Sequence, residues 1–160
     1  MDKIKIRRNT CGDTRVAQEV PTMVAFENSN RLHREDVRTM MNNLAKRIEV
    51  SGTWHDTTKT AEPYKSLFYR ELCATIEGKM DFEADSKWYK QHCELERHHL
   101  NKRCPEDVNL IDVMEMICDC VCAGLARSGE YRPVEISSEI LQRAVKNTAQ
   151  MCVESVELID

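Results

Sequence analysis

Five glycines and four prolines are all that punctuate these 160 residues. Glycine opens the left-handed backbone region and proline removes a backbone donor, so both mark turns. With so few of either, tight turns must be rare and regular elements long, which favours helices over many short strands. The apolar spacing points the same way. Val37, Met40, Met41, Leu44 and Ile48 recur at steps of three and four. Asn28, Ser29 and Asn30 can each cap the start of that helix, and Ser51-Gly52 is its expected end. Residues 64–77 predict a second helix with Leu67, Phe68, Leu72 and Ile76 on one side and Gly78 as its stop. Residues 86–100 form a third segment. Pro105, with Glu106 and Asp107 behind it, suits the start of an apolar helix over about 105–127. SGEYRP reads as a loop, and Ser137 as the cap of a last helix bearing Ile140, Leu141, Ala144, Val145 and Met151.

The fold expected from this is all-α: a compact single-domain bundle of about five to six helices over residues 28–160, with a short irregular N-terminal arm over 1–27. Within that arm KIKIRR alternates like a short strand. No apolar run approaches the roughly 20 residues of a membrane span. The basic start has no apolar stretch behind it, so no secretory signal is read there. The expectation is a cytoplasmic protein without a membrane partner. The net charge of −4 and the lack of a continuous basic stripe give no strong nucleic-acid signal. Self-association into a homo-oligomer is left open. The eight cysteines include no CxxC pair, and Cys118, Cys120 and Cys122 read as small buried apolar side chains.

The five histidines carry the chemistry. His33 shares the 3–4 step of Val37, Met40, Leu44 and Ile48, so it is expected to face inward. His55 and Asp56 stand together in WHDTTK. His92, His98 and His99 crowd into HCELERHHL; on a straight helix 92 and 99 share a face, but 98 is turned 100° from 99. These two adjacent residues can face one point only if the helix bends or ends. Asp119 lies in MEMICDCVCAGLA among apolar neighbours, where burial would oblige it to find a strong partner. Asp112 and Glu115 lie seven and four residues before it, either supporting such a site or marking a solvated stripe. Imidazole nitrogen and carboxylate oxygen together are ligands for Mn, Fe, Co, Ni or Zn.

The ordered set His33, His55-Asp56, His92, His98, His99 and Asp119 resembles the HD-domain superfamily of metal-dependent phosphohydrolases. HDTTK, ERHHL, PEDVNLIDVMEMICDC and AGLARSGE are similar to small HD-like proteins, often phage-encoded, which would put the chain in a host cell's cytoplasm. The resemblance implies an all-helical fold and phosphoester chemistry without naming a substrate; the expectation is one or two divalent transition-metal ions (Mn, Fe, Co, Ni or Zn) and hydrolysis of a nucleotide or related small phosphoester. His33, His55, Asp56 and Asp119 would hold one ion. Asp56 would bridge to a second ion on His92 and on His98 or His99. Lys59, three residues after Asp56, would neutralise phosphate or assist the leaving group, with Arg97, Lys102 and Arg103 as weaker phosphate contacts. Two other readings compete: a catalytically degenerate nucleotide-binding or interaction protein on the same scaffold, and a structural zinc site of Cys93, His98 or His99, and Cys104. The aromatics Trp54, Tyr64, Phe68, Trp88 and Tyr89 fill a core or stack on a base.

Overall fold

The computed structural model describes residues 3–131 and 133–160. Arg132, in the SGEYRP loop, lies outside the described residues. Among those described, regular structure is helical apart from one two-stranded parallel sheet, so the fold is all-α. The elements run β1 (Ile4–Arg7), α1 (Asn9–Gly12), a 3-10 turn (Thr14–Val16), α2 (Met23–Trp54), α3 (Thr57–Thr60), α4 (Tyr64–Ile76), α5 (Phe82–Asp85), α6 (Lys87–Leu95), α7 (Leu110–Ser128), α8 (Ser138–Glu154) and β2 (Val156–Ile159). None of the described helices is long and apolar enough to cross a membrane. The chain groups into two units, Met1–Arg47 with Thr148–Asp160, and Ile48–Asn147.

In the first unit, the alternation in KIKIRR becomes β1, which pairs in parallel with β2 from Ile4 opposite Val156 to Arg7 opposite Ile159. The N-terminal segment is therefore tied to the other end of the chain rather than forming an irregular arm. The Arg7 guanidinium bonds Asp36, whose Oδ2 also accepts the Arg7 amide at 3.0 Å. Gly12 is required where it stands, since a Cβ there would lie 2.2 Å from the Arg7 carbonyl oxygen. Helix α2 begins earlier than expected because Thr22 accepts the Ala25 amide at 3.2 Å, the capping role assigned to Asn28–Asn30.

In the second unit, Leu100, Val108, Val113, Met116 and Ala144 form the buried core. Helix α7 starts at Leu110, five residues after Pro105. Asn109 is extended and accepts the Ile111 amide at 2.9 Å, while Asp112 accepts the Asn109 amide at 2.9 Å. That reciprocal cap outcompetes a proline at the first helical position. Gly129, at φ 72°, closes α7. Ser86 caps α6 and donates to Glu71 on α4 at 2.6 Å, while the Trp88 amide donates to the same carboxylate at 3.0 Å. Trp88 is buried and stacked on Phe68, with ring centres 4.0 Å apart.

Candidate metal centre

The site is assembled from three places in the second unit: the turn after α2, the end of α6, and the middle of α7. Helix α2 stops at Trp54, and Asp56 adopts a left-handed conformation, φ 55° and ψ 38°. For a residue other than glycine this costs about 1 kcal/mol or more, and aspartate is among the types that tolerate it. The turn brings neighbouring side chains together: His55 Nε2 lies 3.2 Å from Asp56 Oδ2. The second place resolves the crowding of histidines. Helix α6 ends at Leu95 with Glu96 extended, so His98 and His99 sit in a turn. Freed from the helical 100° step, both join His92. The His99 and His92 Nε2 atoms are 2.7 Å apart, and the His98 and His99 ring centres 4.4 Å apart. From α7 come Glu115 and Asp119, one turn apart.

Three groups of side chains present ligand atoms close enough to share an ion: Asp56, His92, His98 and His99; His55, Asp56 and Asp119; and His55, His98 and Glu115. Asp56 belongs to the first two through different oxygens. Oδ2 faces His55, and Oδ1 stands 3.5 Å from His92 Nε2 and 3.6 Å from His98 Nε2. Ligands about 2.0–2.2 Å from one ion stand roughly 3–3.5 Å apart around it, so these separations suit a shared cation. Asp56 Oδ1 and both ring nitrogens of His98 are buried without a hydrogen-bond partner. Buried polar atoms are rarely left so, and each here faces ligand-type atoms.

Neighbours decide which nitrogens are free to ligate. Glu96 accepts the Thr58 amide and the Thr58 hydroxyl, both at 2.8 Å. With its proton spent there, the hydroxyl accepts from His92 Nδ1 at 2.6 Å, leaving a lone pair on His92 Nε2. Trp88 supports both residues, donating to the Thr58 carbonyl at 3.0 Å and stacking on His92. Glu115 accepts from His55 Nδ1 at 2.9 Å, so His55 Nε2 turns its lone pair toward Asp56 and Asp119 Oδ1, the latter 3.5 Å away. A lone pair facing two carboxylates calls for a cation between them. Glu115 also bonds Ser51 and lies 3.0 Å from His98 Nδ1, at ion-pair distance but off the hydrogen-bond line.

At His92, His99, Asp56 and Glu115 the electrostatics suit ligation at neutral pH; at His98 burial lowers the pKa, but Glu115, Asp56 and Asp119 outweigh it and raise it. Burial, and then the charges of His98 and His92, push His99 down to about 4. Burial also lowers His92. Both are neutral imidazoles, the form that binds metal. Burial raises the Asp56 pKa, but Lys59, His55 and His92 together outweigh it and keep the carboxylate below its ordinary range. Burial acts against the Glu115 charge as well, and His98, Ser51 and His55 overcome it, bringing Glu115 to about 2.

Among the described residues, His33 belongs to none of the ligand groups. It is exposed and lies in the first unit, near Asp36 and Val37 on a cavity wall. The inward residues of that helix stretch are Ser29 and Asp36, with Asp36 held by Arg7. Asp119 is half-buried, at 25 % side-chain exposure, because its face of α7 borders a cavity. Cys118 and Cys122 are exposed and so are not core, whereas Cys120 is partly buried against it. Arg97 is taken by Asp112 and Asp107, which removes it as a phosphate contact. Arg103 donates to the Glu94 carbonyl, and Lys102 sits 5.9 Å above the Tyr89 ring. Lys59 bonds Asp56 Oδ2 directly. Trp54 is exposed, whereas Trp88 is core. Among the described residues no ligand group includes a cysteine. Sequence reasoning left Glu115 undecided and passed over Thr58 and Glu96. The threonine stood inside WHDTTK, but nothing local distinguishes it from Thr57.

Comparison with known proteins gives one match: residues 23–157 fit the model of a family of unknown function (DUF5662). No curated protein and no solved structure matches the chain.

Proposed function

Given that the chain belongs to this family of unknown function, we propose from the site's chemistry that it is a metal-dependent phosphohydrolase of the HD type. Its substrate is a nucleotide or a related small phosphoester. The observation that carries the reading is Asp56: one oxygen faces His55, and the other is buried, unpartnered and beside His92 and His98. The four-residue group Asp56, His92, His98 and His99 is the stronger ion site, since it has the most ligands and three of them are buried. The His55, Asp56 and Asp119 group is the second, without His33.

A divalent ion held here supplies Lewis acidity and water whose pKa is lowered toward about 7. The chain's own residues do the rest. Thr58 and Glu115 fix the ring orientations of His92 and His55. Asp56 links the two ligand groups through its two oxygens. Lys59 brings a positive charge beside Asp56, where it can meet phosphoryl oxygens.

The Lys59–Asp56 pair also favours a second reading. An ammonium already on Oδ2 can take the place of one ion, giving a one-ion protein that binds a nucleotide without cleaving it. Protein purified without chelator should carry at least one equivalent of transition metal by elemental analysis. It should release phosphate from deoxynucleoside monophosphates or related esters with Mn, Co, Ni or Mg. Protein that takes up no transition metal sinks both readings. Metal uptake, thermal stabilisation by nucleotide and no product select the second.

A further inference from the structure

A cavity of about 240 Å³ adjoins the His55–Asp119 pair, between the C-terminal end of α2 and α7. Ser51, His55, Glu115 and Asp119 form its polar part, and the last three belong to the ligand groups. The remaining wall is largely Ile48, Ile111, Met114, Cys118 and Cys122, and among the described residues no lysine or arginine lines it. That apolar part of the wall offers nothing to neutralise a phosphate chain. An apolar wall favours an uncharged group, whose burial is driven by the area it removes from water. An aliphatic cavity of about 150 Å³ holds benzene, so this one has room for a single ring with a small substituent.

We propose that the cavity receives the organic group of the substrate, an uncharged apolar group the size of one aromatic ring esterified to phosphate, with its phosphoryl end at the Asp56–Asp119 cluster. This rests on the phosphohydrolase reading above and selects, within it, a related small phosphoester over a nucleotide. In the reaction a water oxygen bonds to phosphorus as the ester P–O bond breaks. The alcohol leaves with one proton of that water, and inorganic phosphate is the other product. Substrates with a polyphosphate on the apolar side are excluded, because Ile48, Ile111 and Met114 would leave the phosphates neither solvated nor neutralised.

The exposed thiols in the wall provide a readout apart from turnover. Alkylation of Cys118 and Cys122 by iodoacetamide is followed by fragmentation mass spectrometry with phenyl phosphate, glycerol phosphate or ATP present. Phenyl phosphate should protect both thiols at a concentration about tenfold lower than glycerol phosphate, from burial of one ring. ATP should not protect them over the same range. A Cβ at Gly52, also in the wall, meets nothing within 4 Å. Gly52→Leu adds its bulk at that open position of the wall and should raise the phenyl phosphate concentration needed by about tenfold, with metal content unchanged. Equal protection by glycerol phosphate, or no effect of Gly52→Leu, overturns the proposal. Metal uptake and phosphate release without thiol protection overturn it while leaving the phosphohydrolase reading in place. Protection by phenol in a protein that binds no metal and cleaves no phenyl phosphate overturns that reading instead, and the phosphoester assignment with it.

Discussion

Asp112 and Asp56 are buried carboxylates of the same unit, 4 % and 7 % exposed. Asp112 takes its partners from the chain: Arg97 grips both oxygens at 2.8 and 2.9 Å, and the Asn109 amide donates at 2.9 Å. Asp56 has Lys59 on one oxygen and no hydrogen bond on the other, which faces imidazole nitrogens. The first is a finished structural joint that caps α7. The second is held in a left-handed turn with its donor set incomplete. A buried carboxylate with both oxygens hydrogen-bonded marks architecture; one aimed at lone pairs marks a place for a cation.

The comparison breaks most sharply at the two aspartates themselves. Asp56→Ala should weaken metal binding by more than the roughly 10- to 100-fold typical of losing an outer-sphere group, as read by competition with a chelating dye. Its stability in chelator should hold or rise. Metal binding that survives intact removes Asp56 from the site. Asp112→Ala should do the reverse, lowering unfolding free energy in urea by about 2–4 kcal/mol through loss of a cap and an ion pair, with metal stoichiometry unchanged. Thr58→Val tests the orienting chain from Glu96 to His92. It should weaken metal about tenfold, and a wild-type affinity would leave the threonine a purely structural role.

The pH response of chelator-treated protein sharpens the contrast further. His99 titrates in the folded protein at about 4, and in the unfolded chain near its ordinary 6.5. Between those values the unfolded chain binds a proton that the folded protein does not. This contribution to stability is full above about 6.5 and is lost as pH falls toward about 4. His99→Gln should flatten that stretch of the urea-midpoint profile. The smallest effect belongs to Cys93→Ala with Cys104→Ala, which should leave bound metal unchanged. Loss of metal there would restore the structural zinc reading.

The helices were the most legible part of the chain, because a 3–4 apolar step is local information. Residues 64–77 predicted α4 almost to the residue, as Gly78 ends it in the left-handed region. The start of α7 was misread because Pro105 and Asn109 are both acceptable starts, and only the reciprocal bond to Asp112 separates them. Strand β2 has four residues and exists through its pairing with β1 at the far end of the chain, so no local signal marks it. Within the site, the inward direction assigned to His33 rested on periodicity alone. An apolar stripe that includes exposed Val37 and Met41 does not establish burial.

By itself the sequence determined an all-helical fold and supplied the ligand-type residues His55, Asp56, His92, His98, His99 and Asp119. Both follow from side-chain chemistry and from spacing within a few turns. Which of those atoms meet was decided by the tertiary structure. A left-handed residue at Asp56, an α6 that stops at Leu95, and α7 carrying Glu115 bring together side chains as many as 64 residues apart, as the Ser51–Glu115 bond does. Convergence at that separation depends on where helices end and how they pack, and helical period carries no record of either.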